Sequence, residues 1–202
     1  ADAPILEALR LPSSVLVTPP KAADGEEAFV DALGASARVY RDSHPDAVLL
    51  VCLRRPDLDV GALFELAATI AARLVDIGVR LVLHGNPAKL LPFLHDPPAH
   101  LRRHLGDSFA GLHIPGRFIS DLRWRPVDSS MWLGVSCHTA DELQAARVLG
   151  ADYAFLGNVL RTSSHPGVPG MGWEKFEELV RDLPLPVYAI GGLGPHDLET
   201  AW

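Results

Sequence analysis

Polar residues that could take part in catalysis follow two neighbouring apolar runs in the second half of the chain. The first run, residues 132–136, leads into Ser136, Cys137, His138 and Thr139. The next run leads into a long polar loop that contains Asn158, Arg161, Thr162, Ser163, Ser164 and His165. An imidazole titrates near neutral pH and can carry a proton to and from a bound ligand. His138 is therefore the candidate for proton transfer.

Structural roles are open for the same residues. His138 also fits as a cap of the helix that follows it, or as a partner of a backbone carbonyl. Thr139 and Asp141 are residue types preferred at helix N-termini, so we expect them to be structural. Cys137 is expected to be a packed thiol, because nothing nearby in the sequence is arranged to stabilise a thiolate.

The spacing of apolar residues predicts the elements that position these side chains. Between the two runs, residues 140–149 place Leu143, Ala146 and Leu149 on one helical face, which predicts a βαβ unit with parallel strands. The same alternation runs through most of the chain. It predicts seven strands, at 14–18, 47–53, 79–83, 109–114, 132–136, 153–156 and 187–190. Strands that are apolar throughout indicate a parallel sheet covered by helices.

Seven strands of this kind favour an α/β fold of the TIM (β/α)8 barrel type over an open doubly wound sheet. In such barrels the C-terminal strand ends carry the chemistry, and both polar clusters lie at such ends. After residue 190 the pattern asks for one more helix, begun at 195–202, and a final strand that the sequence does not contain. We therefore expect a barrel that lacks the eighth strand or is truncated before it.

The composition indicates a globular protein and argues against a nucleic-acid-binding or membrane-spanning one. The chain has 202 residues, of which 48% are hydrophobic and 21% charged, as expected for one globular domain. We assign residues 14–202 to the barrel and residues 1–13 to a lead-in segment or interdomain linker. A net charge of −7 with interspersed signs argues against nucleic acid. No segment has the length of a membrane span, and two cysteines give no disulfide framework, so we expect a cytoplasmic protein.

Further binding groups are expected at other strand ends. Gly191 and Gly192 follow a buried run, where backbone N–H groups can meet a phosphate; a helix-entry turn that only needs flexibility is the alternative. Arg54, His84 and His113 end three earlier strands and would together form an anion pocket, although Arg54 could also be an ordinary strand-end charge. His95, His100 and His104 could suggest a metal cluster, with His100 and His104 on one helical face, but no HExxH-like carboxylate accompanies them in the sequence, so we expect no metal site there.

Several motifs, in this order and spacing, resemble the thiamine phosphate synthase and thiazole tautomerase superfamily. They are GVSCHT at 134–139, GADY at 150–153, LGNVLRT at 156–162, GMG at 170–172 and PVYAIGG at 186–192. The start ILEALRLPSSVLVTP at 5–19 and HPG at 165–167 further resemble the form of this domain that is fused to a Nudix hydrolase. The resemblance implies thiamine biosynthesis, phosphate binding and, as a possible partner, a Nudix hydrolase domain in the same parent chain.

The resemblance also implies which activity is weakened. Synthases end their second strand in Gln-x-Arg-x-Lys, of which only Arg54 is kept here. Their third strand ends in Asn-Asp, where this chain has His84-Gly85, and their next loop supplies an Asp that residues 115–118 lack. These carboxylates bind Mg²⁺, which neutralises the departing pyrophosphate. Mg²⁺ is thus expected only if transferase activity is retained, and full synthase activity is not expected.

Other positions match the family. Ser136 and His138 match its Ser-x-His, and the hydroxyl groups of Thr162, Ser163 and Ser164 match a loop that contacts phosphate oxygens. His165 stands where synthases tend to have Lys. In the tautomerase branch the histidine at the position of His138 is thought to move a proton on the thiazole carboxylate phosphate, without a metal. The alternative to both enzymes is a noncatalytic ligand-sensing or scaffolding domain associated with the Nudix hydrolase.

Overall fold

The computed structural model describes residues 11–201 apart from 13, 46–47 and 163–166. Its residues group into two compact units. The first contains the chain up to His113 together with Val127–Trp132, and the second contains Ile114–Pro126 and the chain from Leu133 onward. Most of the predicted lead-in segment 1–13 lies outside the described residues.

The first unit is built from parallel strands that alternate with helices in chain order. The strands are β1 (Val15–Val17), β2 (Leu50–Leu53), β3 (Arg80–His84) and β4 (Phe109–Pro115), whose last two residues belong to the second unit. The helices are α1 (Glu26–Ser43), α2 (Val60–Arg73), α3 (Pro87–His95) and α4 (Ala99–Leu105). All pairings from β1 to β4 are parallel.

The core of the first unit forms because its central strands are apolar on both faces. All four residues of β2 are buried, and β3 is buried over its three central residues. Phe64 and Ile70 of α2 are fully buried in the same cluster as Leu53 and Leu81. Helix α2 begins at Asp59, whose carboxylate accepts a hydrogen bond from the Ala62 N–H at 2.8 Å.

The second unit continues the pattern with three parallel strands. These are β5 (Trp132–Cys137), of which Trp132 belongs to the first unit, β6 (Tyr153–Leu156) and β7 (Val187–Ala189). Its helices are α5 (Ala140–Leu149), α6 (Gly172–Val180) and α7 (Leu198–Ala201). Helix α5 buries Leu143, Ala146 and Leu149, as its spacing predicts.

The predicted fold class is confirmed: the described chain has seven parallel strands in the order expected for the TIM type, and no eighth strand forms within the described residues. The bounds predicted for α5 and β6 agree with the structure. Helix α2 ends at Arg73, and a 3₁₀ turn, Val75–Ile77, follows it before Gly78 in the left-handed region. Among the described residues, no helix has the length and apolar character required to cross a membrane.

Candidate functional site

The imidazole of His138 is anchored by a backbone carbonyl. His138 is the first residue after β5, and its Nδ1 lies 2.7 Å from the carbonyl oxygen of Gly157, just past the end of β6. A carbonyl oxygen only accepts hydrogen bonds, so Nδ1 carries the proton. In the neutral ring the lone pair then lies on Nε2, which is the nitrogen able to accept a proton.

The turn from β5 into α5 is fixed by two further hydrogen bonds. The Thr139 hydroxyl accepts from the Glu142 N–H at 3.2 Å, so Thr139 is the N-cap of α5 as predicted. The Glu142 carboxylate accepts from the backbone N–H of His138 at 2.5 Å. Asp141 lies in the first helical turn and is not the cap. Of the two structural roles considered for His138, the bond to a carbonyl is present, and it is compatible with proton transfer at Nε2.

The loop after β6 is held by backbone hydrogen bonds on two sides. On one side, the N–H groups of Val159 and Leu160 donate to the carbonyls of Ile190 and Gly191, both at 2.9 Å. On the other, the Met171 N–H donates to the Asn158 carbonyl at 2.8 Å. Asn158 is half-buried between these contacts. The described start of this loop, residues 158–160, is therefore held by main-chain atoms.

Gly191 and Gly192 are required for this close approach. Both have positive φ, +97° and +73°. A Cβ on Gly191 would lie 2.8 Å from the Cα of Asn158, and one on Gly192 would lie 2.2 Å from the carbonyl oxygen of Arg161. Larger residues would push the loop away. Close packing thus explains why both positions are glycine, while their contact with a phosphate stays a prediction.

The remaining predicted residues of the second unit are only partly visible. Ser136 lies half-buried within β5, and Thr162 is half-buried at the edge of the described loop. Ser163, Ser164 and His165 lie outside the described residues. The structure therefore brings His138, Asn158 and the two glycines onto neighbouring strand ends of one unit.

In the first unit, the structure stacks two of the predicted histidines. The rings of His84 and His113 have centroids 5.5 Å apart and are inclined by 17°. His113 is fully buried, and its pKa lies well below the ordinary value. Burial is the larger cause of this shift, and the neighbouring His84 is the smaller one. His113 is therefore neutral at neutral pH and offers an aromatic face or a hydrogen bond, not a charge.

Arg54 and Arg55 differ although they are adjacent. The Arg54 N–H donates to the hydroxyl of the buried Thr18 at 2.9 Å, which ties the end of β2 to β1, and its side chain is half-buried. Arg55 is 3% exposed and forms ion pairs with Glu26 and Asp57 at 2.6 and 2.7 Å. These hydrogen bonds raise the pKa of Arg55. Arg55 is thus structural, and Arg54 remains the candidate anion-binding residue.

The surroundings of Cys52 and Cys137 make both thiols weak acids. Burial raises the pKa of Cys52 and of Cys137 to about 12 each. For Cys137 the carboxylate of Glu142 adds to the effect of burial. Both therefore stay protonated at neutral pH, as expected for packed thiols rather than nucleophiles.

A magnesium ion of the kind that synthases use does not fit the residues described. Mg²⁺ prefers carboxylate oxygen ligands, whereas β3 ends in His84 and is followed by Gly85, and residues 115–118 carry no carboxylate. Across residues 11–201, outside the gaps already given, no three His, Cys, Asp or Glu side chains are grouped to hold a metal ion. His100 pairs with Glu65 at 2.6 Å on the surface.

Sequence reasoning missed three of these features. Thr18 and Glu142 fix the backbone at two strand ends, and the carbonyl of Gly157 anchors His138. A Thr-x-x-Glu pattern at 139–142 is a recognisable helix-start signal and could have pointed to Glu142. A backbone carbonyl has no signature in the sequence.

Comparisons with known proteins agree with this architecture. The family described as "Thiamine monophosphate synthase" matches residues 15–202. The thiamine-phosphate synthase of Roseiflexus sp. (strain RS-1) is 27% identical over 180 residues, 89% of this chain and 68% of that protein. That of Myxococcus xanthus (strain DK1622) is 44% identical over 63 residues, 31% of this chain and 29% of that protein.

The matched segments span less than half the length of two of the curated relatives. Among solved structures, the thiamine phosphate pyrophosphorylase from Pyrococcus furiosus superposes with a TM-score of 0.60 at 16% identity, over 91% of this chain and 76% of that one. This likeness concerns the fold. Because the family match extends over nearly all of the sequence, the chain belongs to the thiamine monophosphate synthase family.

Proposed function

We propose that this chain binds a small heteroaromatic phosphate of thiamine metabolism and that His138 moves a proton on it, as in a thiazole tautomerase. The observation that carries the proposal is the 2.7 Å hydrogen bond between His138 Nδ1 and the Gly157 carbonyl. It orients the ring and leaves Nε2 as the basic nitrogen of the neutral imidazole.

The proposed step rearranges the ligand and needs no co-reactant. Nε2 accepts a proton from one position of the bound heterocycle, which gives an imidazolium ion. The ring then returns a proton to a second position of the heterocycle and is neutral again. Gly157 supports both states, because Nδ1 donates to its carbonyl whether or not Nε2 is protonated.

The phosphate is assigned to the loops after β6 and β7. We propose that it binds the hydroxyls of Thr162, Ser163 and Ser164, the side chain of His165, and the backbone N–H groups of Gly191 and Gly192. Ser136 and Asn158 are proposed to contact the heterocycle. The main-chain hydrogen bonds from Val159 and Leu160 to Ile190 and Gly191 support the assignment, because they hold the start of the loop after β6 next to the two glycines.

For the first unit taken by itself, we propose an anion site in which Arg54 and His84 contact the anion. His113 is fully buried and is proposed to act through the ring of His84, against which it stacks. Arg54 supplies the fixed charge, because His113 is neutral when buried. Proton transfer is favoured over transferase chemistry for this chain, since neither His84-Gly85 nor residues 115–118 supply a carboxylate where the resemblance places the Mg²⁺ ligands of synthases.

Calorimetry and turnover on the same samples test this function. Thiazole phosphate and thiazole carboxylate phosphate are titrated with and without Mg²⁺, and tautomer conversion of the carboxylate is followed by absorbance. We expect metal-independent binding, and a loss of about 10²–10⁴-fold in turnover for His138→Gln with binding largely kept. His95→Gln, on an exposed helix end, is the control. Equal turnover of wild type and His138→Gln would refute the role of His138.

The second candidate is a noncatalytic ligand-sensing or scaffolding domain, favoured by the lack of carboxylates at 84–85 and 115–118, where the resemblance places the metal ligands of synthases. Metal-independent binding without turnover would support it, and Mg²⁺-dependent binding of pyrophosphate-bearing ligands would support the synthase instead. Association with a Nudix hydrolase in one parent chain is part of this proposal. Sequencing the parent gene tests whether the two domains share one chain.

A cytoplasmic location is also proposed, because two buried free thiols suit a reducing compartment.

A further inference from the structure

The carboxylate of Glu142 lies at the backbone of His138 and not at the helix cap. In a common capping box the third helical residue reaches back to the N–H of the N-cap residue. Here the N-cap is Thr139, yet the Glu142 carboxylate accepts from the N–H of His138, one residue earlier, at 2.5 Å. The hydrogen bond therefore restrains the residue that bears the imidazole.

Glu142 is itself held in place from two directions. Its own N–H donates to the Thr139 hydroxyl at 3.2 Å. Gly116, in the 3₁₀ turn after β4, packs against its carboxylate: a Cβ on Gly116 would lie 3.1 Å from Glu142 Oε1 and 2.4 Å from the Ser136 carbonyl oxygen. Gly116 thus lies close to the carboxylate, and a side chain there would clash with the Ser136 carbonyl and crowd Glu142.

We infer that Glu142 is a positioning residue for His138: it fixes the backbone of His138 so that the imidazole meets the Gly157 carbonyl and presents Nε2 to the ligand. This inference rests on the proposed function of His138. A charge-assisted hydrogen bond to the backbone N–H and a second bond from the ring hold the residue at both ends. Without the first bond, the ring is free to leave Gly157, and the proton is no longer confined to Nδ1.

The tautomer of His138 reports this directly, without a ligand. In protein labelled with ¹⁵N-histidine, the ring nitrogens show which one carries the proton, and His138→Gln assigns the His138 signals among the nine histidines. We expect wild type to be mainly in the Nδ1–H form. For Glu142→Ala we expect the ratio of Nδ1–H to Nε2–H to fall at least about fivefold, the equilibrium equivalent of one net hydrogen bond.

Further variants separate positioning from helix capping. Glu142→Asp keeps the charge but is one methylene short of the N–H, so it should shift the ratio as Glu142→Ala does, even if the alanine variant folds poorly. Glu142→Gln keeps an acceptor oxygen and should restore the ratio to near the wild-type value. Thr139→Ala removes the cap hydrogen bond, and Asp141→Asn removes a neighbouring charge; both should leave the ratio unchanged, although Thr139→Ala lowers the melting temperature.

An unchanged tautomer ratio in folded Glu142→Ala or Glu142→Asp overturns the inference. So does an equal shift in Thr139→Ala, which would make the effect one of helix stability. Because these spectra need no ligand, a failure of the turnover experiment leaves them standing, and a failure here leaves the proton-transfer role of His138 to be decided by turnover.

Discussion

Acidification should destabilise the protein through His113 before its carboxylates titrate. His113 is fully buried and stacked against His84, and burial holds its pKa well below the ordinary value. In the unfolded chain the same imidazole is hydrated and takes up a proton at its ordinary pKa of about 6.5. Below that pH the unfolded state binds one proton that the folded state does not, so stability falls as pH falls.

The size of the effect follows from this difference. Where the unfolded imidazole is charged and the folded one is neutral, the free energy of unfolding drops by about 1.4 kcal/mol per pH unit. Between neutral pH and about pH 5 this amounts to about 2 kcal/mol, a large share of the stability of a typical domain. The loss stops once the pH reaches the pKa of His113 in the folded protein.

Urea unfolding at a series of pH values measures this slope, with far-UV circular dichroism as the signal. His113→Gln cannot titrate, so its stability should be nearly flat across this window, whatever its absolute value. His95→Gln, on an exposed helix end, should keep the wild-type slope. The reasoning is refuted if wild type and His113→Gln show the same pH dependence between about pH 5 and neutrality.

Two further predictions concern the packing of the strand ends. Arg55→Met should lower the free energy of unfolding by about 2–4 kcal/mol, because it removes a buried guanidinium and its bonds to two carboxylates. Arg73→Met also removes two carboxylate pairs, but on the exposed surface, and should change little; equal losses in urea unfolding would contradict this contrast. Gly157→Ala should cost about 1–3 kcal/mol, since the new Cβ would lie 2.4 Å from the Ile190 carbonyl oxygen. Gly61→Ala, where a Cβ meets only ordinary contacts, is its control, and a similar melting temperature for both variants would count against the close approach.

Local patterns sufficed for the fold in this protein. The bounds of α5 and β6 follow from nearby signals, namely the Thr139 cap, the apolar face of the helix and Gly150 in the left-handed region at its end. Strands apolar on both faces indicated a parallel sheet, and β2 is buried along its whole length. These features depend on residues close together in sequence, so periodicity captures them.

The site was less predictable because its partners are distant or belong to the backbone. Arg54 and Arg55 are the same residue type at adjacent positions, yet of the two only Arg55 is buried. Its partner Glu26 lies 29 residues away in the sequence and contacts it only in the folded chain. The bond between His138 and Gly157 joins residues 19 apart through a main-chain oxygen. Side-chain type carries no information about such a carbonyl, so the tautomer of His138 could not be read from the sequence.

The proposed proton transfer depends on backbone atoms, whereas Mg²⁺ binding depends on side chains. A magnesium site depends on carboxylate side chains, and a single substitution at each strand end removes them. The ring of His138 is instead oriented by the carbonyl of Gly157, and its backbone N–H by Glu142 of the helix start, which also serves folding. The comparison of Glu142→Ala with Thr139→Ala therefore asks whether the orientation of His138 needs more than a stable helix.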